Sequence, residues 1–190
     1  MTEAKMAMTI QDVATMSFSA QDPATLRELL TAGKKLPPDS TALLMQDHAE
    51  VKAMFRQFES EKQMKPILAR KICIALTVHA EIEEEIFYPQ AGTALEDDEL
   101  ITEAIEEHAE MKELIAKIIE DVAAEKAINR NIKALKGSVE HHVAEEESEM
   151  FPDMRQTDTD FYEIGKALAA RRVEILLALK RQEKGIEAPS

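Results

Sequence analysis

A pair of short histidine-bearing segments occurs twice in this chain, and that repeat limits what it can fold into. Asp47-His48-Ala49-Glu50-Val51-Lys52 returns as Glu107-His108-Ala109-Glu110-Met111-Lys112. His79-Ala80-Glu81-Ile82-Glu83-Glu84, ending Phe87-Tyr88-Pro89, returns as His142-Val143-Ala144-Glu145-Glu146-Glu147, ending Met150-Phe151-Pro152. In both copies the second histidine lies ten residues ahead of the proline. Apolar residues around these segments recur every three or four positions, the period of an amphipathic helix. A helical hairpin used twice, with pseudo-twofold symmetry, accounts for both observations.

The rest of the chain fits an all-α fold. Ala, Glu, Leu, Lys, Ile and Met dominate, aromatics make up 4%, and there are only 5 glycines in 190 residues. Such residues lose little freedom in a helix, whereas a sheet would want more β-branched and aromatic side chains. Four long helical segments are expected: from Asp39 or Ser40, from near Pro66 to Tyr88, from Asp97 or Asp98, and from about Ala127 to Phe151. We expect them to form an up-down-up-down four-helix bundle over residues 41–155. Residues 1–40 read as an N-terminal extension with a short helix, capped by Asp22 and stopping near Gly33. Residues 156–190 read as an additional C-terminal helix, starting near Asp160, and a frayed tail. The apolar stripe of that helix is best explained as a cover over the bundle.

At 3.6 residues per turn, His79 shares a helix face with Glu83, and His142 with Glu146. His48 precedes the first hairpin turn by about as many residues as His79 follows it, on the order of 20 Å at 1.5 Å per residue. His108 and His142 stand in the same relation to the second turn. Four helices thus project four imidazoles and two carboxylates toward one level of the core. That donor set suits a pair of borderline metal ions, with carboxylates able to bridge them. The six candidate ligands are His48, His79, Glu83, His108, His142 and Glu146. No histidine has a Glu three residues before it, as the ferritin-like motif requires, and the zinc-protease motif His-Glu-x-x-His is absent.

Net charge excludes some partners. At −14 the chain lacks the basic surface that nucleic acid or an anionic membrane would need. Cys73, the single cysteine, is expected to be a small buried hydrophobe. The first residues lack the apolar stretch of a signal peptide, and no apolar run is long enough to cross a bilayer, so a cytoplasmic location is the expectation.

At these residues the chain resembles the hemerythrin-like, or HHE cation-binding, family. That family's pattern is a lone His, a His-x-x-x-Glu, a second lone His and a second His-x-x-x-Glu on four successive helices. His48, His79 with Glu83, His108, and His142 with Glu146 follow it in order. The resemblance, over roughly residues 40–155, implies a non-haem centre of two Fe ions, oxo- or hydroxo-bridged, with Glu83 and Glu146 bridging. It also implies a small-molecule ligand: dioxygen, peroxide or nitric oxide. Zn or Mn could take the same donors. Two departures stand out. Oxygen carriers have a further His where this chain has Lys112, and an Asp at a different spacing where it has Glu146. Both move the expectation from oxygen carriage toward stress response, sensing or catalase- or peroxidase-like turnover. Metal storage or a helical interaction module is the alternative, in a monomer or homodimer.

Several other residues are expected to stay outside the centre. His141, four residues before Glu145, reads as a surface His–Glu pair. Glu149 reads as solvated, and Tyr88 and Tyr162 as packing residues at the bundle end. In the acidic runs 81–85 and 145–149, only one carboxylate each is expected to point inward.

Overall fold

The computed structural model describes residues 39–183, with side chains through residue 181. The expected short helix between Asp22 and Gly33 and the tail after Lys184 lie outside the described residues. Among the described residues every regular element is helical. They are α1 (Ser40–Ser60), α2 (Lys65–Ile82), α3 (Tyr88–Leu95), α4 (Asp98–Ala123), α5 (Asn129–Glu145), α6 (Phe151–Met154) and α7 (Phe161–Glu183). Two π-helical turns, Glu83–Phe87 and Glu146–Met150, join α2 to α3 and α5 to α6.

The helix starts follow capping chemistry. The carboxylate of Asp39 accepts the amide of Ala42 at the head of α1, and that of Asp97 accepts Leu100 at the head of α4. Asp160 accepts the amides of Tyr162 and Glu163 at the start of α7. Each bond satisfies an amide that the helix itself leaves unpaired. On α1 the buried residues Leu44, Asp47, His48, Val51, Met54, Phe55 and Phe58 form one stripe at helical spacing. That stripe faces α2, while α4 packs on both α5 and α2. As expected of a cover, α7 lies across α1 and α2.

The helices do not stop at their prolines, contrary to expectation. The chain passes Pro89 into α3 and Pro152 into α6 without leaving helical conformation. A proline inside an α-helix loses a hydrogen bond, and its ring collides with the carbonyl four residues back. The π-turns relieve this by accommodating one additional residue per turn. The amide of Tyr88 donates to Glu83 and that of Phe151 to Glu146, each five residues back.

Two apolar clusters fill the interior. One gathers Phe55, Phe58, Ile72, Ile115, Ile118 and Leu135 from α1, α2, α4 and α5. The other gathers Leu43, Ile82, Phe87, Phe151, Leu168 and Leu176 around α7 and the π-turns. Cys73, as expected, is wholly buried in the first. Along α1 and α4 the clusters change over at His48 and His108, and on α2 they interleave between Cys73 and Val78, just before His79. A polar layer therefore separates two apolar ones.

Candidate metal centre

The helical register alone delivers His48, His79, His108 and His142 to that layer, each 6% exposed or less. Their Nε2 atoms meet in pairs, His48 with His79 at 3.1 Å and His108 with His142 at 3.0 Å. Glu83 and Glu146 sit between the pairs, 0% and 1% exposed. Glu83 Oε2 is 3.1 Å from His79 Nε2 and 3.4 Å from His108 Nε2. Glu146 Oε2 is 3.2 Å from His48 Nε2 and 3.6 Å from His142 Nε2. Each carboxylate thus spans both halves of the site.

All six residues anticipated from sequence converge here. His48, His79, Glu83 and Glu146 form one compact donor group, and Glu83, His108 and His142 form another, sharing Glu83.

Every ring is held from behind by an acid. Asp47 lies 3.2 Å from His79 Nδ1, and Glu107 lies 2.7 Å from His142 Nδ1. Glu84 lies 2.9 Å from His108 Nδ1, and Glu147 lies 2.9 Å from His48 Nδ1. A carboxylate accepts, so each Nδ1 carries the proton and each Nε2 offers a lone pair inward. This is how metal-binding imidazoles are commonly fixed. The centre then consists almost wholly of acceptors. Glu83 Oε1, Glu83 Oε2 and Glu146 Oε2 are buried without a hydrogen-bond donor among the described residues. Lone pairs crowded to about 3 Å repel unless a proton or cation lies between them. In octahedral coordination, metal bonds of about 2.1 Å would place neighbouring donors about 3 Å apart. The residues fit a pair of cations.

The four supporting acids were not singled out by sequence reasoning. Glu84 and Glu147 belong to runs read as solvated apart from one inward carboxylate, yet two carboxylates of each run turn inward. The signal was present in the repeat, where Asp47 matches Glu107 and Glu84 matches Glu147. Lys112 is 7% exposed and reaches both oxygens of Glu84 at 2.7 Å. It therefore steadies the acid behind His108 rather than replacing a ligand.

Tyr88 is a further correction. Its hydroxyl donates to Glu146 Oε1 at 3.0 Å and lies 3.2 Å from His108 Nε2 and 3.4 Å from His142 Nε2. At 100° per residue it would stand about 180° around the helix from His79. The π-turn cancels about 100° of that offset and swings the phenol into the centre. Its counterpart Phe151 stacks on His48, with ring centroids 5.9 Å apart. The two halves are thus chemically unequal. His141, 67% exposed, pairs with Glu145 at 3.4 Å as expected. Glu149 is exposed, also as expected, whereas Tyr162, expected to pack at the bundle end, is 55% exposed.

Burial, the charge of Glu146 and that of Asp47 push the Glu83 carboxyl well above its ordinary range. Burial also acts on Glu146, but His142 and His48 outweigh it and hold that carboxyl down at about 2. Burial holds His79 down at about 4 and lowers His108, keeping both imidazoles neutral. For His142 burial is outweighed by Glu146 and Glu107, which raise it. A cation must therefore displace protons from Glu83 and His142. Because both values are raised, affinity is expected to climb with pH until these groups lose their protons without the cation. Below that point it should fall about tenfold per pH unit for each proton displaced. Competition titrations with a chelator between pH 5 and 8 test this, and a flat profile would contradict it.

Beside the centre lies a cavity of about 20 Å³, bounded by the histidines and by Val51, Leu76, Met111 and Ile115. Its size suits one or two water-sized molecules.

Residues 39–154 match the hemerythrin HHE cation binding domain. The chain belongs to that family. The match ends before α7, which starts at Phe161. A DNA nickase of Nostoc sp. (strain PCC 7120 / SAG 25.82 / UTEX 2576) is 28% identical over 115 residues, covering 60% of this chain and 32% of that protein. The chain thus spans about a third of that relative's length. No solved structure matches. No helix among the described residues is long and apolar enough to cross a membrane.

Proposed function

We propose that this HHE domain is a cytoplasmic four-helix bundle with a di-iron centre that binds or processes dioxygen, peroxide or nitric oxide. The observation that carries the reading is the convergence of four imidazole lone pairs and two carboxylates on a buried, donor-poor point. His48, His79, Glu83, His108, His142 and Glu146 would hold the ions. Iron held by these residues would supply redox chemistry. The protein's own contribution is to orient and exclude. The acids behind the rings fix the imidazoles, and the apolar wall of the cavity admits a diatomic-sized molecule while limiting water. Tyr88 holds a proton 3.0 Å from Glu146, the nearest hydroxyl donor to the centre.

The Nostoc relative's name does not lead us to propose DNA nicking here. The similarity covers 32% of that protein, and a chain of net charge −14 is poorly suited to hold a phosphate backbone. Metal analysis together with the ultraviolet-visible spectrum tests the proposal. Two irons per chain are expected, with charge-transfer absorption that responds to dioxygen, peroxide or nitric oxide. Multiple turnovers of peroxide, lost in His79→Ala, would identify an enzyme; a reversible spectral change without turnover would identify a binder or sensor. A colourless protein with one zinc per chain, inert to all three ligands, would overturn it.

A further inference from the structure

A second donor cluster lies outside the buried centre. His141 and Glu145 stand one turn apart on α5, and Glu107 approaches them from α4. His141 Nε2 is 3.4 Å from Glu107 Oε1 and 3.4 Å from Glu145 Oε1. One ligand atom from each of the three residues falls within a compact group. Tetrahedral coordination with bonds of about 2.0–2.1 Å separates its donors by about 3.4 Å, against about 3 Å for octahedral geometry. One imidazole, two carboxylates and an open fourth position match a divalent cation that keeps a water.

The cluster is joined to the centre by Glu107. While Oε1 faces His141, Oε2 accepts from Nδ1 of His142 at 2.7 Å. Glu107, His142 and Glu146 thus form a continuous line of contacts from surface to core.

The other half of the repeat shows that this arrangement is particular to one side. There the counterparts of His141 and Glu145 are Val78 and Ile82, 5% and 0% exposed. The counterpart of Glu107 is Asp47, closed off by Arg172 from α7. One side of the pseudo-symmetric centre is sealed with hydrocarbon and a buried ion pair, and the other carries three potential ligands at the surface. We propose that His141, Glu145 and Glu107 form a solvent-facing divalent-cation site that loads the buried centre. Its cation binding stands independently, whereas its loading role rests on the buried centre being a metal site.

Metal-free, full-length protein titrated with Co²⁺ tests the proposal, compared with a His141→Ala/Glu145→Ala variant that spares Glu107. Wild type is expected to bind three ions per chain and the variant two, with the buried centre of the variant filling roughly tenfold more slowly. Two ions in wild type, or three in the variant, would overturn the surface site. Equal filling rates would overturn the loading role. A wild type that binds one ion, lost in the variant, would support the surface site while refuting the buried centre and with it the loading role.

Discussion

Replacing Glu83 by leucine is expected to change metal binding and metal-free stability in opposite directions. Glu83 is fully buried, lies 3.1 Å from one imidazole and 3.4 Å from another, and neither of its oxygens has a hydrogen-bond donor. Without cations it is a carboxyl in an acceptor-rich core, kept protonated by burial and by Glu146. An unsatisfied buried polar group costs about 1–3 kcal/mol, so an apolar side chain of similar size should stabilise the metal-free protein by about that amount. With cations the sign reverses, because Glu83 is the one residue common to both donor groups. The variant should keep at most one ion per chain. Denaturant unfolding in chelator, paired with metal analysis, measures both effects. A variant that retained two ions, or that was less stable than wild type without metal, would count against the assignment.

Arg172→Met is expected to produce the largest loss of stability. Arg172 and Asp47 are 8% and 7% exposed, and Arg172 Nη1 donates to Asp47 Oδ1 at 2.7 Å, with Nη2 bonded to the other oxygen. Burial alone would raise the Asp47 carboxyl, but His79 and Arg172 more than reverse this. Removing the guanidinium strands a charge in the interior, which typically costs about 3–5 kcal/mol. Exchanging both partners, as Asp47→Asn with Arg172→Met, should recover part of the loss. Because Asp47 also orients His79, the single variant should weaken metal binding roughly 10–100-fold. Equilibrium unfolding and competitive metal titration check the two claims. A loss below about 1 kcal/mol would show that the pair is not buried as described.

That ion pair ties α7, which lies outside the family match, to the centre. The sequence marked α7 as a cover through its apolar stripe, and Arg172 falls on that stripe, four residues after Leu168 and four before Leu176, but nothing in the sequence names its partner. Arg171 reaches the exposed Glu85 on the surface, and only the way α7 packs on α1 brings Arg172 to Asp47.

The six converging residues were legible because helical geometry is local. A three- or four-residue spacing fixes a face, and a short hairpin turn fixes which levels meet. The repeat then multiplied one weak motif into four mutually consistent ones, so the all-helical fold and the composition of the centre both followed from the chain itself. The acids behind the histidines were recoverable from the same repeat, had equivalence been applied to neighbouring positions as well as to the histidines. Tyr88 was not recoverable from an ideal 100° period. Its place depends on a π-turn that forms as the helix passes Pro89, and one additional residue per turn rotates everything beyond it. The pairing of each acid with a ring, and the sealing of one half while the other opens to solvent, were likewise decided by tertiary structure. The repeated pairs therefore determined which residues meet. Packing determined how each donor is oriented, because orientation depends on contacts between helices that no single helix encodes.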